Sequence, residues 1–306
     1  VIEAVLLVAF GGPTAPAEIR PFLANVARGR AIPAERLETV ARHYERMPGG
    51  RSPLNELTER QARALEERLV TAGLRLPVFV GMRNWHPYLA DTLAMMVGKG
   101  ITRVLAIIMS PLRCEASWDR YMADVAGARA ATAGAPDVVF APAWSEHPGF
   151  LAAVADRTRR AFDAVDTDRR SATPLVFTAH SIPVAMAATS PYVAEFTAAA
   201  RTVARRLGHP TWSLAYQSRS GGPGEAWLEP DVNDVLRTFA RAHVTDVVVA
   251  PIGFVCDHVE LLYDLDVEAR ATAESVGIAL HRAAAVNDHP SFIDTLVDLV
   301  RRAASS

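Results

Sequence analysis

The sequence predicts an α/β protein of two Rossmann-like lobes, each a four-stranded parallel sheet flanked by helices. Eight short apolar runs recur along the chain, separated by longer stretches with helical spacing, and that alternation is the mark of layered α/β folds. The runs are continuously apolar rather than alternating, as strands covered on both faces should be. A chain of 306 residues also exceeds what one hydrophobic core usually holds and suits two.

Residues 5–10 form the first run. A secretory signal is a competing reading, but the run lacks a basic stretch before it and passes straight into Gly11-Gly12-Pro13, so a buried strand is expected. Helical spacing over 56–72 precedes a second strand at 77–81, and a helix over 88–99 precedes the third at 103–110. The fourth strand, 137–142, ends in a connection near 141–149 that carries Pro142 and Pro148. This connection marks the lobe boundary and gives lobes 1–145 and 146–306. A helix over 150–165 opens the second lobe, whose strands fall at 175–180, 212–218, 246–254 and 277–283. Helical spacing covers 193–207 and 257–276, and the last helix, from about 291, is expected to pack back on the first lobe. No low-complexity segment or short repeat is visible.

Composition excludes several classes. A net charge of -2 offers no global attraction to nucleic acid or an acidic membrane, and no segment reaches the ~20 apolar residues of a membrane span. Two cysteines, Cys114 and Cys256, read as reduced intracellular thiols and cannot supply four thiolates to an iron–sulfur cluster. A cytoplasmic monomer with no nucleic-acid partner and no stable membrane insertion is expected. The sequence contains no dinucleotide fingerprint, Walker loop, Gly-x-Ser-x-Gly elbow or His-Glu-x-x-His helix.

Ligands of open α/β sheets bind beyond the carboxyl ends of the strands, which directs attention to the residues after each run. His180 closes the strand at 175–180, with Pro183 expected to stop any immediate helix, so an imidazole projects from the strand end. A histidine hydrogen-bonded to its own loop is the competing structural reading. Glu260, Asp264 and Glu268 fall four apart, on one face of a helix, where like charges repel and a cation would relieve the strain; a solvated acidic face has the same spacing. In the first lobe, Arg28, Arg30, His43, Tyr44, Arg46, Arg51, Arg83, Trp85, Arg113 and Tyr121 offer guanidinium forks for carboxylates and ring faces for a flat ligand.

Five ordered motifs then carry a resemblance. Leu6-Leu-Val-Ala-Phe-Gly-Gly-Pro13, Gly49-Gly-Arg-Ser-Pro-Leu54, Thr178-Ala-His-Ser-Ile-Pro183, Gln217-Ser-Arg-Ser-Gly221 with Trp227-Leu-Glu-Pro230, and Gly253-Phe-Val-Cys-Asp-His-Val-Glu260 resemble those of ferrochelatases, most closely the soluble type of Gram-positive bacteria. The resemblance implies a class II chelatase fold with a porphyrin cleft between its lobes. It implies that His180 is the active-site histidine and Glu260 the metal-site carboxylate, with both taking part in catalysis. Asp264 and Glu268 match an acidic row that holds or relays metal. Tyr44, Ser52 and Tyr121 match porphyrin-contacting positions, and Phe10, Arg28, Arg30, Arg83 and Trp227 are assigned to the same porphyrin-binding set. Phe10 stands where some members carry tyrosine, and Ala27 where some carry arginine. No resident cofactor and no iron–sulfur cluster are expected; ferrous iron is a substrate.

On this reading His180 takes pyrrole protons or binds the metal, Glu260 binds it from an opposite or adjacent position, and the pair faces across a gap wide enough for a tetrapyrrole. A cleft rich in arginine favours coproporphyrin III, with four propionates, over protoporphyrin IX, with two. The alternatives are protoporphyrin IX as substrate, a cobalt or nickel chelatase, and a non-catalytic porphyrin or haem carrier on the same fold.

Overall fold

A computed structural model describes residues 1–29, 32–221 and 224–305. The chain divides into two compact units, one of residues 1–109, 118–142 and 293–306, the other of 110–117 and 143–292. The two sheets lie either side of the 145/146 division read from the sequence, whereas the units exchange two segments across it.

In the first unit, β1 (Ala4–Ala9), β2 (Val78–Met82), β3 (Arg103–Ile108) and β4 (Asp137–Phe140) pair in parallel in the order β2-β1-β3-β4. All six residues of β1 are buried, which is why its sequence is apolar at every position instead of every second one. Each such Val or Leu contributes roughly 1.5–3 kcal/mol on burial. The helices of this unit are α1 (Ile19–Ala27), α2 (Ala34–Glu45), α3 (Leu54–Thr71), α4 (Leu89–Gly98) and α5 (Arg120–Ala131). Arg68 of α3 donates from Nε to Asp294 at 2.8 Å.

The second unit repeats the plan. Its strands β5 (Leu175–His180), β6 (Trp212–Gln217), β7 (Asp246–Ala250) and β8 (Ala279–Arg282) are parallel in the order β6-β5-β7-β8. Helices α6 (Pro148–Phe162), α7 (Val184–Ala188), α8 (Tyr192–Leu207) and α9 (Val232–Arg241) flank them. The final helix, α12 (Pro290–Ala304), starts in this unit and continues into the segment counted with the first.

Two local expectations are corrected. Pro183 does not prevent an immediate helix: α7 begins at the next residue, because the proline ring fixes a backbone angle suited to a helix start and its missing N–H is not needed there. The helix expected over 257–276 is broken into α10 (Val259–Tyr263), a π-helical stretch at Asp264–Ala269 and α11 (Arg270–Ser275). Such wide turns inside helices frequently accompany functional sites.

Candidate functional site

In the second unit the chain leaves β5 for one side of the sheet and, after β6, crosses to β7 on the other side. The β5–β7 neighbourhood is therefore the topological switch point, where open α/β sheets bind ligands beyond their carboxyl ends. His180 is the last residue of β5. The loop after β7 packs directly on that strand: Gly253 N–H donates to Thr178 O at 3.1 Å, and a Cβ on Gly253 would lie 2.7 Å from Ala179 Cα. Only glycine fits this approach. The loop then reaches His258, whose Nδ1 accepts the Glu260 N–H at 3.2 Å and caps α10.

This brings the two predicted groups together. His180 Nε2 lies 3.8 Å from Glu260 Oε1, with the side chains 30% and 41% exposed. Two ligands of one ion, each bonded at about 2.0–2.2 Å, can stand up to about 4.2 Å apart, so a single ion can reach both. The expected gap for a tetrapyrrole between them is corrected. A flat ring needs roughly 3.5 Å of clearance on each face, more than this space allows, so no ring fits between the two groups. His180 Nδ1 faces the Ser181 carbonyl at 2.5 Å. A carbonyl only accepts, so Nδ1 carries the hydrogen and neutral His180 presents its Nε2 lone pair toward Glu260. Tyr192 OH donates to His180 O at 2.8 Å, and Gln217 Nε2 to Glu260 O at 3.1 Å, holding both backbones in place.

Asp264 opens the π-helical stretch, half-buried, and accepts a hydrogen bond from Ser218 Oγ. Burial pushes its carboxyl up to about 8; Glu260, Glu268 and Asp231 add to the rise, and the Ser218 hydroxyl opposes it. Asp264 is thus mostly neutral at pH 7. Burial also pushes the His258 imidazole down, so it stays neutral as a cap. Glu268 is exposed. Among the described residues no three His, Cys, Asp or Glu side chains gather as a metal-binding group. Of the expected metal set of His180, Glu260, Asp264 and Glu268, the first two form a close pair, and Asp264 and Glu268 follow Glu260 along the chain as an acidic row.

In the first unit three predicted residues meet beyond β1 and β2. The Arg83 guanidinium lies 4.4 Å from the Tyr121 ring centroid and 5.9 Å from that of Phe10. It also pairs with Asp124 at 2.5 Å, so its charge is already answered within the protein. Tyr44 and Phe10 both stand edge-on to Phe22, with centroids 5.7 and 6.3 Å from it. Ser52 is buried beside Gly12, where a Cβ would lie 2.8 Å from Ser52 Cβ. Arg28 is exposed and donates to Asn25, and Arg30 lies outside the described residues. Trp227, in the second unit, bridges the backbone of Pro183 and donates its indole N–H to Glu225.

Sequence reasoning missed Ser218, Gln217 and Tyr192. The first two stand inside a quoted motif, which was the available signal; Tyr192 had none, since a tyrosine opening a helix is ordinary.

Three comparisons bear on identity. The Ferrochelatase family model matches residues 2–304. A coproporphyrin III ferrochelatase of Mycolicibacterium vanbaalenii is 42% identical over 303 residues, covering 98% of this chain and 89% of its own. One from Mycobacterium avium is 44% identical over 302 residues, covering 97% and 87%. A ferrochelatase of Rhodopirellula baltica is 41% identical, covering 98% and 85%. Among solved structures, SirB from Bacillus subtilis with Fe3+ aligns at a TM-score of 0.60 and 11% identity, covering 99% of this chain and 96% of that one. CbiX, the terminal enzyme for siroheme biosynthesis in denitrifying bacteria, aligns at 0.55 and 16%, covering 98% and 99%. These structural likenesses speak to the fold, and the family match, running through both sheets, speaks to descent: the chain belongs to the ferrochelatase family.

Proposed function

We propose that this chain inserts ferrous iron into coproporphyrin III, with His180 and Glu260 as the reacting pair. The observation that carries the reading is the 3.8 Å approach of His180 Nε2 to Glu260 at the β5–β7 switch point, in a chain of this family. Metallation exchanges one ferrous ion for the two protons on the pyrrole nitrogens. Those protons need an acceptor of near-neutral affinity, and an imidazole with a free Nε2 lone pair is one. Glu260 supplies an oxygen ligand beside it; the same Nε2 lone pair either ligates the ion or takes a proton, never both at once, and in either state the ion's other positions stay open for the ring nitrogens. Glu268 and Asp264 form the acidic approach for iron, Asp264 giving up its proton as the cation nears.

Contacts with the macrocycle are assigned to Phe10, Tyr44, Ser52, Arg83, Tyr121 and Trp227, with Arg28 and Arg30 for propionates. The coproporphyrin III preference is supported by the names of the Mycolicibacterium and Mycobacterium relatives. Ferrous iron and porphyrin are substrates, and no resident cofactor is assigned. The chain acts as a cytoplasmic monomer on this reading; no helix among the described residues is long and apolar enough to cross a membrane.

The test follows ferrous insertion by absorbance under anaerobic conditions. His180→Ala is expected to lower turnover at least 100-fold with the fold retained. Near-normal turnover would remove the histidine from the reaction. Coproporphyrin III should be turned over faster than protoporphyrin IX; the reverse order would overturn the substrate assignment.

A further inference from the structure

The second unit carries a cavity of about 320 Å³ away from His180 and Glu260, between α6 and the β8 edge. Its wall holds four arginines, Arg157, Arg160, Arg270 and Arg282, and His281, on a floor of alanines and Leu280, with no carboxylate in the lining. The carboxylates that answer these cations stand outside the lining. Asp156 pairs with Arg160 at 3.1 Å, Asp246 with His281 at 3.0 Å, and Asp266 with Arg282 at 2.7 Å and Arg270 at 3.8 Å.

Arg157 differs from the other three. Its one hydrogen bond runs from a terminal nitrogen to Val286 O at 3.4 Å, its Nε is buried without an acceptor, and no ion pair joins it to a carboxylate among the described residues. The closed-off Nε–H is out of a ligand's reach, whereas the other terminal nitrogen has no acceptor among the described residues and is the group that can take one from a ligand. Arg157 and Arg160 also line an adjoining cavity of about 430 Å³, whose wall carries Asp156 and Asp288, so an anion is favoured on the carboxylate-free side. Arginine forks match the planar, multiply accepting edge of a carboxylate or a phosphate.

We infer that this arginine-lined cavity is a binding site for a small, multiply charged oxyanion, held by Arg157 and Arg160 through its phosphate or carboxylate oxygens. The volume sits at the lower end of small-molecule pockets, which limits the ligand to a few charged groups on a short frame. The site stands apart from the reacting pair and does not depend on the assigned reaction.

Calorimetric titration of the whole chain with inorganic phosphate and, separately, with citrate tests this. Saturable binding of at least one of them is expected, and the productive arm distinguishes a phosphate site from a polycarboxylate site. Arg157→Met should weaken that binding about tenfold or more, the scale of one lost charge-assisted hydrogen-bond pair. Arg160, 64% exposed, allows a second variant that does not threaten folding: Arg160→Glu should abolish binding with an unchanged circular dichroism spectrum and unchanged iron-insertion turnover. Failure of both anions to saturate the wild-type chain, or equal affinity in the wild type and both variants, would overturn the site.

Discussion

Ser218 shows how one hydroxyl tunes the acidic row. Its Oγ–H donates to Asp264, and this bond opposes the rise that burial and the neighbouring carboxylates impose. Ser218→Ala should therefore move Asp264 further up, which a carbon-13 titration of the labelled carboxyl group would follow; an unmoved or lowered titration would break the link. His258 has a different task, since it caps α10 through Nδ1 and so sets where Glu260 begins its turn. His258→Ala should cost about 1 kcal/mol of stability, the usual worth of a lost cap, read by urea denaturation. Much of this chemistry was legible in the sequence. His180 follows an unbroken apolar strand, and Glu260 follows an apolar run by a short loop. What the sequence could not show was that Gly253 lets that loop lie against Ala179, which brings the two groups within 3.8 Å of each other.

At the scale of elements, the π-helical stretch at Asp264–Ala269 needs an anchor, because a wide turn gives up regular helical bonding. Arg282 of β8 provides it: Nε and one terminal nitrogen hold Asp266 at 2.7 and 2.8 Å, and the other holds Asp257 at 2.7 Å. Asp257 is in turn held by Asn287 Nδ2 at 2.8 Å. The arginine thus fixes the chain on both sides of Glu260. Arg282→Met removes the main ion-pair partner of two largely covered carboxylates, leaving Asp266 to Arg270 at 3.8 Å and Asp257 to neutral donors, and should cost roughly 3 kcal/mol, measured by chemical denaturation. In the Asp266→Asn background the cost should shrink, since part of the interaction is already gone. Helix spacing over 257–276 was readable from the sequence, but the break was not. The stretch is held by Arg282, a residue that arrives from a different strand.

Across the whole molecule, the charge held inside the second unit should appear in its pH response. Asp264 is raised to about 8, from an unfolded value of roughly 3.9. The folded state therefore binds the extra proton. The stability this contributes is fully present below about pH 4 and is lost as pH rises through about 8, an effect on the order of a few kcal/mol. Asp156 and Asp246 are shifted the other way by their histidine hydrogen bonds and ion pairs, against the opposing effect of burial, so what they contribute is lost as the solution becomes acidic. Thermal unfolding of Asp264→Asn should lose the decline between about pH 4 and pH 8 and keep the loss at acid pH; an identical profile to wild type would assign that decline elsewhere. The eight strands and both sheets were legible because buried parallel strands write themselves as apolar runs, and the last helix, read as packing on the first lobe, is counted with the first unit from residue 293; the move of segment 110–117 to the second unit leaves no local mark.

The strand order β6-β5-β7-β8 has a practical corollary for anyone trimming the gene. Because β5 and β7 are adjacent in space but separated by residues 181–245, the imidazole and the carboxylate belong to no contiguous short peptide. A shortened clone that stops after β6 keeps the histidine and discards its companion, and closing so long a loop is a slow step of assembly. Competence for the reaction should therefore emerge late during refolding, after most helical signal has returned.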